Sequence, residues 1–281
     1  METRCRIAVL CCVAAVTLAA TGFDSLAQTP PTTQAPAQPP AAQAIPEPPV
    51  LTPAICELPS YLTSSESVLT AVPVALRDRK ALDILVLGTG SSALSGAEAV
   101  GQAYPQRLEH ALRKRLSGIN INVSSEIMPR RTAEDVVVAL TKLVKDRKPT
   151  LVVWQTGTVD AMRNVHADDF RNALEQGIDL LQAAGVDVIL MNPQYSPRTD
   201  TMISASPYID MMRIVAQQHT VPLFDRYAAM HHWSENGEFD LFGTTRDSKL
   251  ARRVHDCVGR ALALLVIDAA RLSASELKVA H

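Results

Sequence analysis

The chain has 281 residues, with 27 Lys and Arg against 29 Asp and Glu and a formal net charge of −2. That near balance, without any basic run, argues against a nucleic-acid groove. The absence of an internal repeat and of clustered His or Cys spacing leaves no sequence case for a solenoid or a metal site.

In chain order, residues 1–27 read as a signal peptide. Arg4 and Arg6 precede the apolar run IAVLCCVAAVTLAA, which is short for a bilayer span, and Ser25 and Ala27 offer the small residues of a cleavage site. A retained anchor is the alternative; after cleavage no membrane span is expected, and the protein is exported to a periplasm or secreted. Residues 28–55 are Pro, Ala, Gln and Thr with almost no charge, a composition that stays extended and forms a linker. Residues 56–272 suit one domain, followed by a tail over 273–281. Of the five cysteines, Cys5, Cys11 and Cys12 leave with the signal peptide, while Cys56 and Cys257 stay. An even pair in an oxidising setting favours a disulfide over two free thiols.

Within the domain, five short apolar runs predict strands at 83–87, 120–124, 150–155, 186–191 and 221–224. Helical spacing lies between and after them. Leu108, Leu112 and Leu116 follow Tyr104-Pro105; Val136, Leu140 and Val144 follow Thr132; Phe170, Leu174, Ile178 and Leu181 precede Gly185. Leu250, Val254, Val258, Ala261 and Leu265 mark a terminal helix. This alternation predicts an α/β fold: a three-layer, doubly wound, flavodoxin-like sheet of five parallel strands. Ligands then bind at the carboxyl ends of the strands, which carry GTGSS, SEIMPRR, GTVDAMR and NPQYSPR.

Four segments in this order, VLGTGSSAL, AYPQRLEHAL, LVVWQTGTVDAMR and VDVILMNPQYSPR, resemble the SGNH/GDSL hydrolases. The resemblance spans roughly residues 56–270, and WQTGT, NPQYSP and the cysteine pair resemble an exported bacterial branch. It implies an SGNH-hydrolase fold and a site made of four blocks. A serine attacks an ester carbonyl, a glycine amide and an asparagine stabilise the oxyanion, and a histidine three residues after an aspartate activates the serine.

Each block departs from that pattern. Gly88-Thr89-Gly90 stands where Gly-Asp-Ser is expected, so Gly90 takes the nucleophile's place. Ser91 and Ser92 follow as candidate nucleophiles, with Ser91 also readable as a helix cap. The second block's glycine falls near Pro129 and Arg130. Val159 replaces the asparagine after Gly157. Lys249 and Arg246 stand where the histidine and aspartate belong, while His255 lies two turns further on. Lys249 and His255 are the candidate bases, and Lys249 serves only if desolvation lowers its pKa. Thr89, Arg130, Asp160 and Tyr195 make the candidate ligand-binding set; Asp160 also reads as a cap or a partner of Arg163. Arg130, Arg131, Arg163, Arg198 and Lys249 are the cations that could converge on a ligand.

The expectation is an exported SGNH/GDSL-type protein with a degenerate ester-hydrolase site, holding a small-molecule or glycan ligand without efficient turnover. The alternative is an active serine esterase or deacylase on carbohydrate or lipid esters that uses Ser91 or Ser92 with a displaced base. Gly88-x-Gly90 lacks the rest of a dinucleotide fingerprint, since Ala93 stands at the third glycine, and no cofactor is expected. No exposed apolar stripe marks a subunit interface.

Overall fold

The structure is a computed structural model that describes residues 56–96, 99, 101–242 and 248–272. The signal peptide, linker and tail expected over 1–27, 28–55 and 273–281 lie outside the described residues.

The apolar runs become strands because a parallel sheet covered on both faces hides the side chains of its inner strands. β1 (Ala81–Gly88), β2 (Asn120–Ile127), β3 (Leu151–Gln155), β4 (Asp187–Met191) and β5 (Leu223–Phe224) form one sheet. Their order is β2-β1-β3-β4-β5, and every neighbouring pair is parallel. This is the five-stranded α/β fold expected from the sequence. The order reverses direction between β1 and β3, so their carboxyl ends flank the crevice where such sheets bind ligands.

The connections are α1 (Ala71–Asp78), α2 (Tyr104–Arg115), α3 (Ala133–Arg147), α4 (Thr158–Arg163) and α5 (Ala167–Ala183). α6 (Pro197–Asp200), α7 (Ser206–Gln218), α8 (Arg226–Glu235) and α9 (Ser248–Ala269) follow. Four of these match the periodic segments read from the sequence. α1, α4, α6, α7 and α8 do not; the buried side of α8 carries the charged Arg226 together with Ala229, Met230 and Trp233.

Alternation of side chains along each strand splits the core in two. Ile84, Val86, Leu151, Val153, Ile189 and Phe224 face a layer that includes α1, α2, α8 and α9. Leu85, Leu87, Val152, Trp154 and Val188 face α3, α5 and α7. α2 and α9 pack very closely because Gly259 has no side chain. A Cβ there would lie 2.5 Å from Arg107 Cβ.

Cys56 and Cys257 are joined in a disulfide, with Cα atoms 5.1 Å apart, inside the range a bridge allows. It ties the start of the domain to α9. Glu238 stands beside these two sulfurs, but its carboxylate accepts the Cys56 amide at 2.6 Å. The bridged sulfurs are not available as thiolate ligands.

Candidate functional site

β1 ends in a 3-10 turn, Gly90–Ser92. Gly88 and Gln155 point to the same face of the sheet, by the two-residue period of their strands. Gly88 leaves a hollow: a Cβ there would lie 2.3 Å from Ser92 Oγ. Ser92 fills that hollow and is 1% exposed.

Its hydroxyl is fully committed. Ser92 Oγ donates to Gln155 Oε1 at 2.9 Å and lies 3.0 Å from Tyr104 Oη. With the serine proton on Gln155, the Tyr104 hydroxyl donates to Ser92. Gln155 Oε1 also accepts from Thr89 N at 3.0 Å and Thr89 Oγ1 at 3.1 Å. Because Thr89 gives its own proton to Gln155, its 3.4 Å contact with Ser91 Oγ has Ser91 as donor. Both serine protons thus run into Gln155 Oε1, directly or through Thr89. A neutral amide oxygen cannot take a proton away as a general base does.

Arg226 occupies the space beside Ser91 where a base would be needed. Its position follows from the end of the sheet. Asp225 caps α8 by accepting Ala228 N at 2.9 Å, and Asn192 at the end of β4 holds Asp225 Oδ1 at 2.7 Å. Asn192 Oδ1 in turn accepts Tyr227 N at 2.9 Å. Locked this way, α8 turns Arg226 inward. Its Nη1 donates to Ser91 Oγ at 3.2 Å, and its Nη2 to Ser91 O at 3.1 Å and Gln194 Oε1 at 3.2 Å. The guanidinium lies 5.5 Å from the centre of the Tyr104 ring. Burial pulls it down to about 10, which leaves it charged at neutral pH.

His255, the other base candidate, is buried beside Tyr104 and has its Nδ1 lone pair occupied. Tyr104 N donates to His255 Nδ1 at 3.0 Å, so the proton of the neutral imidazole sits on Nε2. Burial first, and then the charge of Arg226, hold its pKa at about 3. The site therefore presents His255 as a donor. Lys249 is an exposed residue in the first turn of α9.

The positions read from the sequence as oxyanion donors fare similarly. Val159, buried near the start of α4, has no polar group to donate. Arg130 adopts φ 63, the left-handed region that glycine enters most easily. Its carbonyl accepts Arg163 Nη2 at 2.8 Å. Arg131 and Arg163 pair with Asp135 at 3.7 and 3.8 Å, so these cations surround the start of α3 and do not converge on Ser91.

Of the expected ligand set, Asp160 is 1% exposed and spends its oxygens on Ala133 N at 2.9 Å and Gly157 N at 3.3 Å. It caps, and it makes no ion pair with Arg163 among the described residues. Thr89 is likewise turned to Gln155. Tyr195 does line an open cavity of about 190 Å³, together with Gln194, Arg226, Met230, Val254 and His255. Arg226, Gln155 and Tyr104, the hub of the network, were absent from the sequence-derived candidates. The available signals were their positions: Gln155 ends a strand, and Arg226 stands two residues after one.

The five-stranded parallel sheet flanked by helices, with a serine turn after β1, is the α/β architecture of the SGNH/GDSL-lipase-like esterases. Residues 55–272 match the Non-GDSL lipase-like family, and the chain belongs to that family. No curated protein matches the chain. Among solved structures it is similar to TesA at 21% identity and a TM-score of 0.51, covering 64% of this chain and 97% of that one. A catalytic mutant of Axe2, an acetylxylan esterase from Geobacillus stearothermophilus, aligns at 17% identity and a TM-score of 0.52, covering 64% of this chain and 91% of that one. A lipase/acylhydrolase from Enterococcus faecalis aligns at 26% identity and a TM-score of 0.48, covering 64% and 97%. Among the described residues, no helix is long and apolar enough to cross a membrane.

Proposed function

We propose that this protein is exported and binds a carbohydrate- or acyl-ester-like ligand at the carboxyl edge of its sheet, without efficient ester hydrolysis. One observation carries the reading: the Ser91 and Ser92 protons are directed to Gln155, and the group beside Ser91 is a guanidinium, which accepts no proton. The substitutions read from the sequence support it further. Gly90 has no side chain, Val159 has no donor, and the left-handed backbone at Arg130 fits its reading as a replaced glycine. The N-terminal apolar segment and a disulfide, which persists in oxidising compartments, support export.

The alternative, an active serine esterase, has one feature in its favour. Ser91 is only partly buried, and Arg226 beside it would stabilise an alkoxide. Among the described residues it still lacks a proton acceptor; Arg246, read at the aspartate position, lies outside them. Hydrolysis of p-nitrophenyl acetate and butyrate by the purified protein should equal that of a Ser91→Ala, Ser92→Ala double variant. A serine-dependent rate in the parent protein would establish the esterase instead.

A further inference from the structure

Arg226 is 1% exposed, yet its partners are the neutral groups of Ser91 and Gln194. The adjacent Asp225 is occupied elsewhere, with Arg213 Nη2 on its Oδ2 at 2.7 Å. A buried cation is costly unless it is paired. A guanidinium has five N–H donors; three of Arg226's are used, and Nε is buried without an acceptor.

This same residue lines the cavity of about 190 Å³. There His255, with Nδ1 held by Tyr104 N, supplies a second donor at Nε2. The remaining wall includes the apolar side chains of Met230, Leu250 and Val254. One carboxylate, Asp240, stands on the cavity's edge. It is exposed and accepts Phe242 N at 3.1 Å, so solvent screens it far more than it screens Arg226.

We infer that this cavity binds the carboxylate of a small aliphatic acid, its oxygens on Arg226 and His255 Nε2–H and its chain against Met230, Leu250 and Val254. The charge of Arg226 suits a carboxylate, because a charge-assisted bond is stronger than a neutral one, and one Nη1–H remains uncommitted beside the buried Nε. The volume suits a ligand of about six to ten heavy atoms, since an apolar cavity of roughly 150 Å³ in another protein holds benzene. The apolar wall favours an aliphatic acid over a sugar acid. This inference rests on the proposed ligand-binding function for an occupied site, and it holds with or without turnover.

The test is isothermal titration calorimetry and thermal melting of the full chain with sodium butyrate, butyramide and sodium glucuronate at constant ionic strength. Butyrate should bind saturably and raise Tm. Butyramide, which has no charge, should bind at least about tenfold more weakly, and glucuronate more weakly than butyrate. Arg226→Met should lose the preference for butyrate over butyramide. Because Arg226 also holds the serine turn and its variant could misfold, Leu250→Trp is the second variant. It fills the cavity with Arg226 in place and should weaken butyrate binding at least about tenfold.

Equal binding of butyrate and butyramide would overturn the inference. So would tighter binding of glucuronate, no saturable butyrate effect up to about 10 mM, or unchanged butyrate affinity in Leu250→Trp. Ester turnover is read separately. Serine-dependent hydrolysis with intact butyrate preference removes the proposed function and leaves this inference standing; neither hydrolysis nor carboxylate preference does the reverse.

Discussion

The position that should carry a nucleophile is open, and the serine after it is not. Gly90 is exposed, and a Cβ added to it meets no atom within 4 Å. Gly90→Ser should therefore change stability by no more than about 0.5 kcal/mol. Gly88→Ala should destabilise the protein by about 1–3 kcal/mol, because its methyl would displace Ser92. Urea denaturation of the two variants decides this, and equal midpoints would refute the packing argument. His255 gives a pH prediction. Its imidazole is held at about 3, against an ordinary 6.5, by burial and by Arg226. The unfolded chain takes up this proton near pH 6.5 while the native state does not. Stability from this group is therefore present above pH 6.5 and declines by about 1.4 kcal/mol per pH unit toward pH 3. His255→Gln should flatten that part of the acid limb in denaturation midpoints collected from pH 7 to pH 4.

At the level of elements, carboxylates fasten the starts of helices to the sheet and to one another. Asp187 at the start of β4 accepts Thr70 N at 3.0 Å and Val72 N at 2.9 Å, which anchors α1. Asp160 does the same for α3 and α4, and Asp225 for α8. Asp160→Ala would leave the Ala133 and Gly157 amides buried without acceptors and should cost about 3 kcal/mol. Thr132→Ala, which removes only one half of the Thr132–Asp135 capping box, should cost about 1 kcal/mol. Chemical denaturation that ranked Thr132 above Asp160 would show that the shared carboxylate is not the main fastening.

At the level of the whole molecule, the disulfide closes most of the domain into one loop, with a sequence separation of 201. Its two ends, Cys56 at the start of the domain and Cys257 in α9, pack in the layer that holds Tyr104. In the chain-entropy account such a closure restricts the unfolded state and contributes roughly 5 kcal/mol at most, and measured values fall at about 2–5 kcal/mol. A Cys56→Ser, Cys257→Ser variant should lose stability in that range under non-reducing conditions. The parent protein should match it once fully reduced. No difference between oxidised and reduced protein in guanidinium melts would contradict the bridge.

The sequence by itself determined what depends on local pattern. Short apolar runs specify parallel strands, the four-residue spacing of Leu108, Leu112 and Leu116 specifies α2, and two cysteines at the ends of one domain specify their own pairing. It also exposed the substitutions on which the proposed function rests, because Gly90 and Val159 carry no hydroxyl or amide side chain wherever they sit. What surrounds those positions was decided only by tertiary structure. Ser91 meets Arg226 across 135 residues, Ser92 meets Gln155 across 63, and Tyr104 meets His255 across 151. No spacing rule joins such positions. They meet because the strand order sets β1 beside β3 and brings the start of α8 over the same sheet edge. Lys249 and His255 show the same limit: six positions apart on one helix, one is exposed and the other is buried against Tyr104. Only packing of α9 on α2 separates them.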